Sequence, residues 1–410
     1  MNKKKLIVIG GGAAGFFCAV NAARMNPVLD VVILEKTNKL LSKVKISGGG
    51  RCNVTHACFS IAEIIKRYPR GDNFLKKAFQ HFFTTDTITW FKERGVELKT
   101  EDDGRMFPAS NTSQTIIDCL VKEANKFGVE IIMNADVVEI FQTPNQFNLT
   151  LANGKLFVAD FVCIASGGYP KSAQFEWLKK LGHSIENPMP SLFTFNIADK
   201  VLTALMGIVV ENAVVKITGT KLQQQGPVLI THWGLSGPAV LKLSAWAAKE
   251  LATKNYDFGL MINWLPDYNE NSLRDKFQLL RFENAAQKIA NKNPFELPNR
   301  FWEYLLKISG VKDDCRWADL PAKEQNKLVK NICTQEVKVK GKTTFKDEFV
   351  TAGGILLSEI DANTMQSKIV PNLFFAGEVI NVDGITGGFN FQNAWTTGWI
   401  AAKKIASFIQ

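Results

Sequence analysis

The sequence predicts an α/β protein whose parallel sheet is assembled from both ends of the chain. Short apolar runs, the pattern of strands covered on both faces, occur at residues 6–9, 30–34, 161–165 and 369–377. Three of them lead into glycine-bearing loops, at 10–15, 166–168 and 377–388. Helical patterns follow the first and the last of those loops, whereas the texture from about residue 192 to 345 is different.

Residues 6–9 are flanked by lysines and ended by glycine, so they read as a buried strand. Residues 16–25 read as the following helix and 30–34 (DVVIL) as a second strand, ending at Glu35. Together they form one βαβ unit with GxGxxG (Gly10, Gly12, Gly15) at its turn and an acid 20 residues after the last glycine. The first glycine permits the tight turn. The second lets backbone approach a pyrophosphate, the third lets helix and strand pack closely, and the helix start offers free N–H groups to phosphate. Glu35 is placed to accept hydrogen bonds from a ribose. The unit is therefore Rossmann-like and predicts a bound dinucleotide.

Residues 116–127 carry a helical pattern, and strands follow at 130–133 and 137–141. Residues 147–151 and 155–158 flank Asn153-Gly154, a hairpin signal. Beyond 192, residues 211–218 alternate as a half-exposed strand, and 226–230 lead into Thr231-His232-Trp233-Gly234-Leu235-Ser236-Gly237-Pro238. Residues 239–251 look helical, 271–333 are mostly helical and rich in lysine, 337–345 return to strand, and 391–405 close the chain as a helix.

With 46% hydrophobic and 21% charged residues the chain supports packed cores, which excludes disorder as its main state. No stretch approaches the roughly 18 apolar residues of a membrane span. Lys3, Lys4 and Lys5 before an apolar run imitate a secretory leader, but the glycines from Gly10 to Gly15 would weaken its helix, and they sit where a phosphate-binding turn needs them. Seven cysteines without CxxC spacing give no support to a zinc ribbon, an iron–sulfur cluster or a dithiol site, and fit reduced thiols in a cytoplasm. The net charge of +10 makes a polyanionic partner worth testing against an ordinary basic surface.

One run is unusual: Lys43-Val44-Lys45-Ile46-Ser47-Gly48-Gly49-Gly50-Arg51-Cys52-Asn53. Three glycines in series allow backbone to approach a flat ligand closely, with donors from Arg51 and Asn53 beside it. With this run, residues 9–15, 101–108 (EDDGRMFP), 231–238 and 351–398 resemble the BaiN/RdsA family of FAD-dependent oxidoreductases, over almost the whole chain.

The resemblance implies a Rossmann-like FAD-binding domain over 1–192 and 343–410. It also implies an inserted β-barrel-like part at 193–240 and 334–342 and a helical part at 241–333. It places Gly10, Gly12, Ala14 and Gly15 at the pyrophosphate, Glu35 with Lys36 at the adenosine ribose, and Val138 by the adenine. Arg51, Cys52 and Asn53 would line the flavin together with Gly167. Gly377, Glu378 and Asp383 would lie near the ribityl chain, with Gly388, Phe389 and Asn390 facing the isoalloxazine. A helix starting near Asn390 would aim its positive end at the N1–C2=O edge. Asn381 stands where relatives commonly have an acid, and the loop after Gly168 runs on through Tyr169 without the longer glycine-rich stretch usual in the family.

The implied chemistry is reduction of a carbon–carbon double bond, in bile-acid-type ketones or in a ribosomal RNA uridine. Hydride addition to either leaves an enolate that needs a proton. His232, Cys52 and Tyr169 are the candidate donors, His232 being slightly favoured although it could equally pack locally on Trp233; Cys52 could equally be an apolar filler. Arg105 would bind an anionic substrate group or pair with Asp102 or Asp103. Lys66, Arg67, Arg70, Lys76, Lys77, Lys338, Lys340, Lys342 and Lys346 would contact RNA phosphates, with Phe74, Phe79, Phe82, Phe83 and Trp90 stacking bases; solvated lysines and core phenylalanines are the bland alternative. The expected protein is thus a cytoplasmic FAD-dependent reductase making dihydrouridine in large-subunit ribosomal RNA. NAD(P)H, lacking a second GxGxxG of its own, would bind transiently at the flavin face. The alternatives are a reductase of small enone or steroid-like substrates and a non-catalytic flavin-binding RNA-interacting protein.

Overall fold

The computed structural model describes residues 3–144, 146–344 and 350–408. The chain forms two compact units, Met1–Ser191 with Lys346–Gln410, and Leu192–Phe345.

In the first unit, β1 (Lys5–Ile9), α1 (Ala13–Met25) and β2 (Asp30–Leu34) make the expected βαβ motif. α2 (Gln114–Lys126), β3 (Glu130–Ile132), β4 (Phe161–Ile164), β5 (Leu373–Phe375) and α3 (Phe389–Ser407) complete the framework. All five strands are parallel, in the order β5-β4-β1-β2-β3. Leu6, Ile7 and Val8 are wholly buried, as a strand covered on both faces must be. The order reverses direction between β1 and β4, and in open sheets ligands bind beyond the carboxyl ends of the strands at such a point. α1 packs closely on α3 because Gly398 has no side chain: a Cβ there would lie 2.7 Å from the Ala14 carbonyl oxygen.

Of the apolar run 369–377 only Leu373–Phe375 is strand. Pro371 brings no N–H to a ladder, and Ile369 and Val370 spend theirs on Ser367 Oγ. The Asn153-Gly154 hairpin forms as expected, with Gly154 at φ +83°, in an antiparallel sheet of Val137–Gln142, Phe147–Leu151 and Leu156–Ala159.

The second unit is a closed six-stranded barrel, in the order Thr194–Ile197, Gly234–Ser236, Gln223–Thr231, Val209–Ile217, Asp257–Asn263, Gln335–Thr343. This corrects the separation into a β-rich part and a helical part spanning 241–333. Asp257–Asn263 lies inside the supposed helical stretch, yet pairs with both Val209–Ile217 and Gln335–Thr343. The strand escapes a reading of the sequence because only the ends of its outer face, Asp257 and Asn263, are polar, while Gly259 and Met261 between them hide the alternation. One hydrophobic core runs through barrel and helices alike, joining Phe195, Val215 and Leu260 to Phe277, Trp302 and Leu328.

The seven cysteines are free thiols. Among the described residues no helix is long and apolar enough to cross a membrane, and no His/Cys/Asp/Glu group is placed to hold a metal ion.

Candidate cofactor site at the carboxyl ends of the parallel strands

The three glycine loops of the first unit meet. A Cβ on Gly10 would sit 2.4 Å from the Ala165 carbonyl oxygen, so the first loop lies against the second. A Cβ on Gly377 would sit 2.8 Å from the Ala14 Cβ, which brings the third loop to the first. Gly168, Thr351 and Glu378 close the ring, since a Cβ on Gly168 would be 2.7 Å from Glu378 Oε1 and 2.6 Å from the Thr351 Cβ. The third loop is tied to α3, whose Thr397 Oγ1 accepts the Gly377 N–H at 2.9 Å and whose Asn393 amide donates to the Gly377 carbonyl at 3.4 Å.

The glycines divide by what their missing Cβ would meet. Gly15 is obligatory, because its Cβ would be 1.9 Å from the Gly10 carbonyl oxygen. Gly12, at an ordinary extended φ of −93°, would meet nothing within 4 Å, and neither would Gly167, Gly49 or Gly50. Their open side leaves room for something other than protein. Two buried side-chain oxygens at the same ring, Thr351 Oγ1 and Asn393 Oδ1, have no partner among the described residues. The start of α3 adds N–H groups with no carbonyl behind them. Open backbone, unpaired acceptors and a helix N-terminus are what the polar parts of a dinucleotide require, so the residues present fit FAD.

Glu35 stands at the end of β2, its Oε2 accepting from Gly11 N–H at 2.8 Å and its Oε1 from Thr37 N–H at 2.9 Å. It is thereby held over the first loop, while Lys36 beside it is exposed. Val138 is 46% exposed and sits in the register shift between Val137 and Glu139, which frees its backbone from the ladder. Glu378 is fixed by Lys43 Nζ at 2.5 Å and by the Thr351 N–H at 2.7 Å.

The run 48–50 is a true left-handed path, with Gly48, Gly49 and Gly50 at φ +59°, +68° and +82°. Arg51, at its end, lies over the Phe107 ring at 4.0 Å and bonds Glu101 at 2.5 Å. Arg105 shares Glu101 at 3.0 Å and holds Asp103 at 2.6 Å. The pairing alternative for Arg105 is therefore the one observed, with Glu101 and Asp103 as partners rather than Asp102.

Several expected contacts are spent elsewhere. Asp383 is wholly buried, bonded through both carboxylate oxygens to Arg70 and by Ser191 Oγ at 2.8 Å, so it cannot reach a ribityl chain. Arg70 is correspondingly withdrawn from RNA. Asn390 donates to and accepts from the Gly384 backbone at 2.9 Å in each direction, which leaves only its main chain to face a flavin. The Phe389 ring is buried against His56 and Tyr68. Asn53, with its amide oriented by the surrounding hydrogen bonds, accepts from Gly388 N–H and donates to the Thr55 carbonyl, both at 3.0 Å.

The three proton-donor candidates also separate. Cys52 has no exposure, and burial pushes its thiol up to about 12, so it packs as an apolar filler. His232 belongs to the barrel unit, exposed on the turn before Gly234–Ser236 with its ring 4.1 Å from Trp233, the local packing that was its alternative. Tyr169 follows the second glycine loop, edge-on to Phe175 at 5.0 Å, and burial raises its phenol above the ordinary value.

Phe74, Phe79, Phe82, Phe83 and Trp90 are all at most 9% exposed and form core, so they stack no bases. Exposed phenylalanines stand instead at Phe59, Phe141, Phe282 and Phe408. Lys66 pairs with Glu63 and Lys338 with Asp257, Lys340 is exposed, Lys342 lies over the Tyr256 ring, and Lys346 lies outside the described residues. Reading the sequence missed Lys43, Thr351, Asn393 and Thr397. The last two stand at i, i+4 in α3, in a run of buried polar residues with Gln392 and Thr396 that was visible in the sequence.

The chain matches the HI0933-like protein Rossmann domain family over residues 4–404 and belongs to it. It is 29% identical to the ribosomal RNA dihydrouridine synthase of Escherichia coli over 99% of this chain and 98% of that protein. It is 24% identical to the 3-dehydro-bile acid delta(4,6)-reductase of Clostridium scindens, over 97% and 98%. Among solved structures, the open form of a flavocytochrome c3 fumarate reductase aligns with a TM-score of 0.51 at 16% identity, covering 98% of this chain and 78% of that one. The 3-ketosteroid delta1-dehydrogenase of Sterolibacterium denitrificans aligns at 0.51 with 11% identity, over 98% and 99%.

Proposed function

We propose that this chain is an FAD-dependent reductase of a carbon–carbon double bond and that its substrate is a uridine of large-subunit ribosomal RNA, converted to dihydrouridine at the expense of NAD(P)H. The observation that carries the flavin reading is the ring of three loops, two of whose glycines, Gly12 and Gly167, face open space beyond the parallel strands. The RNA substrate is supported by likeness, over nearly the full length of both chains, to a ribosomal RNA dihydrouridine synthase, and by the net charge of +10.

FAD, when bound, supplies the hydride. The chain's residues hold and orient it: Gly10, Gly12, Ala14 and Gly15 at the pyrophosphate, Glu35 at the ribose, Gly377 and Glu378 along the ribityl chain. The first N–H groups of α3, with the dipole behind them, stabilise negative charge on the reduced ring. Tyr169 is the proton donor in this reading, because it follows the second glycine loop directly and a phenol keeps its O–H at neutral pH. NAD(P)H would visit the same face, since no second GxGxxG provides a domain for it.

A small enone substrate is the second reading, favoured by the 24% identity to a bile-acid reductase. Reoxidation kinetics separate the two. The purified protein is expected to show flavin absorbance that NADH or NADPH bleaches anaerobically and that ribosomal RNA lacking the modification restores, with dihydrouridine appearing in step. Reoxidation by small enones alone would replace RNA with the second reading, and absence of flavin would overturn both.

A further inference from the structure

The turn preceding α3, residues 384–388, is held by four side chains. Asn53 accepts the Gly388 N–H, Tyr68 Oη donates to the Phe389 carbonyl at 2.7 Å, and Asn390 clasps the Gly384 backbone. The fourth is His56, whose Nδ1 lies 3.1 Å from the Gly387 carbonyl oxygen and whose ring packs 4.7 Å from Phe389. Space for that ring is built in. A Cβ on Gly104 would sit 2.7 Å from His56 Nε2, and one on Gly387 would sit 3.5 Å from Nδ1. Because a carbonyl only accepts, Nδ1 carries the proton, whether the ring is neutral or charged.

Residues 384–391, the turn and the first turn of α3, contain no ionisable side chain. The direction of this backbone is therefore set by the hydrogen bonds of Asn53, Tyr68, His56 and Asn390.

We propose that His56 is a positioning residue for the flavin site. It fixes the Gly387 carbonyl, and with it the direction of the free N–H groups at the start of α3. This rests on the flavin reading above. It assigns to a residue outside the glycine motifs a share of flavin affinity and of the setting of the flavin's reduction potential.

The test uses the FAD-loaded full chain and two variants, His56→Asn and His56→Leu. An asparagine amide donates from nearly the position of Nδ1, whereas leucine donates nothing. His56→Leu is expected to release FAD about tenfold more readily, the worth of one hydrogen bond, and His56→Asn to bind as the wild type does. At one fixed pH, His56→Leu is also expected to lower the flavin midpoint potential, the helix N-terminus being no longer aimed at the reduced ring, and His56→Asn to keep the wild-type value. If His56→Leu does not fold, His56→Gln, whose amide cannot donate from the Nδ1 position, takes its place. Wild-type FAD affinity and potential in His56→Leu or its replacement would overturn the inference while leaving the flavin reading intact. A wild-type protein without flavin would overturn the flavin reading and this inference with it.

Discussion

The loops at 10–15 and 47–50 are both rich in glycine, yet glycine answers different needs in them. In the first, the protein itself demands Gly10 and Gly15, because backbone from the second loop and from Gly10 occupies the space of a side chain. Gly12 alone faces open space, with backbone angles any residue could adopt. In the second, Gly48 is crowded by Phe107 at 2.8 Å, while Gly49 and Gly50 meet nothing, and all three are left-handed. A glycine can thus serve the fold, the chain path or a ligand. Only what its missing Cβ would touch tells these apart.

The largest expected effect is at Gly15. Gly15→Val drives side-chain atoms into the Gly10 carbonyl and is expected to cost at least about 3 kcal/mol, seen as loss of the cooperative thermal transition. A stable Gly15→Val protein would show that the packing of α1 on its loop is not what requires glycine there.

Next comes the buried pair beneath the third loop. Burial holds the Asp383 carboxyl above its ordinary value, against the pull of Arg70 and Ser191. A carboxyl raised in the folded state loses stability as pH climbs above its unfolded value near ~4, so removing its cation deepens that loss. Arg70→Met is expected to cost about 3–5 kcal/mol at neutral pH and to recover part of it as pH falls, measurable by urea unfolding at several pH values. A destabilisation independent of pH would mean that Asp383 is not the group left unpaired.

Gly12→Val makes the converse case to Gly15→Val. It should melt within about 1 kcal/mol of the wild type, as a change at an open position does, yet purify without yellow colour and bind added FAD more than about tenfold more weakly. Retained FAD would remove the first loop from the pyrophosphate. The smallest effect is expected for Cys52→Ala, which takes a buried filler and should change turnover by less than about twofold, with a stability loss near 1 kcal/mol. A collapse of turnover in a folded Cys52→Ala protein would return the thiol to the chemistry.

Much of the first unit was legible because its signals are local. The βαβ motif, the Asn153-Gly154 hairpin and the three glycine loops follow from periodicity and backbone preference within a dozen residues. The barrel strand Asp257–Asn263 was not legible, since Gly259 and Met261 interrupt the polarity of its outer face between Asp257 and Asn263. Nor were the fates of individual polar side chains. Asp383 reads as a ligand contact in its motif, but Arg70, 313 residues away, consumes it. The phenylalanines at 74, 79, 82 and 83 read equally as stacking platform or core.

Sequence alone was therefore enough to establish the α/β class, the dinucleotide turn and the candidate loops, because each depends on neighbours in the chain. Which histidine stands beside the turn before α3, which acid is neutralised, and which glycines face open space depended on folding. Those outcomes come from side chains and backbone far apart in sequence competing for the same volume and the same hydrogen bonds, a competition settled only when the strands and helices pack.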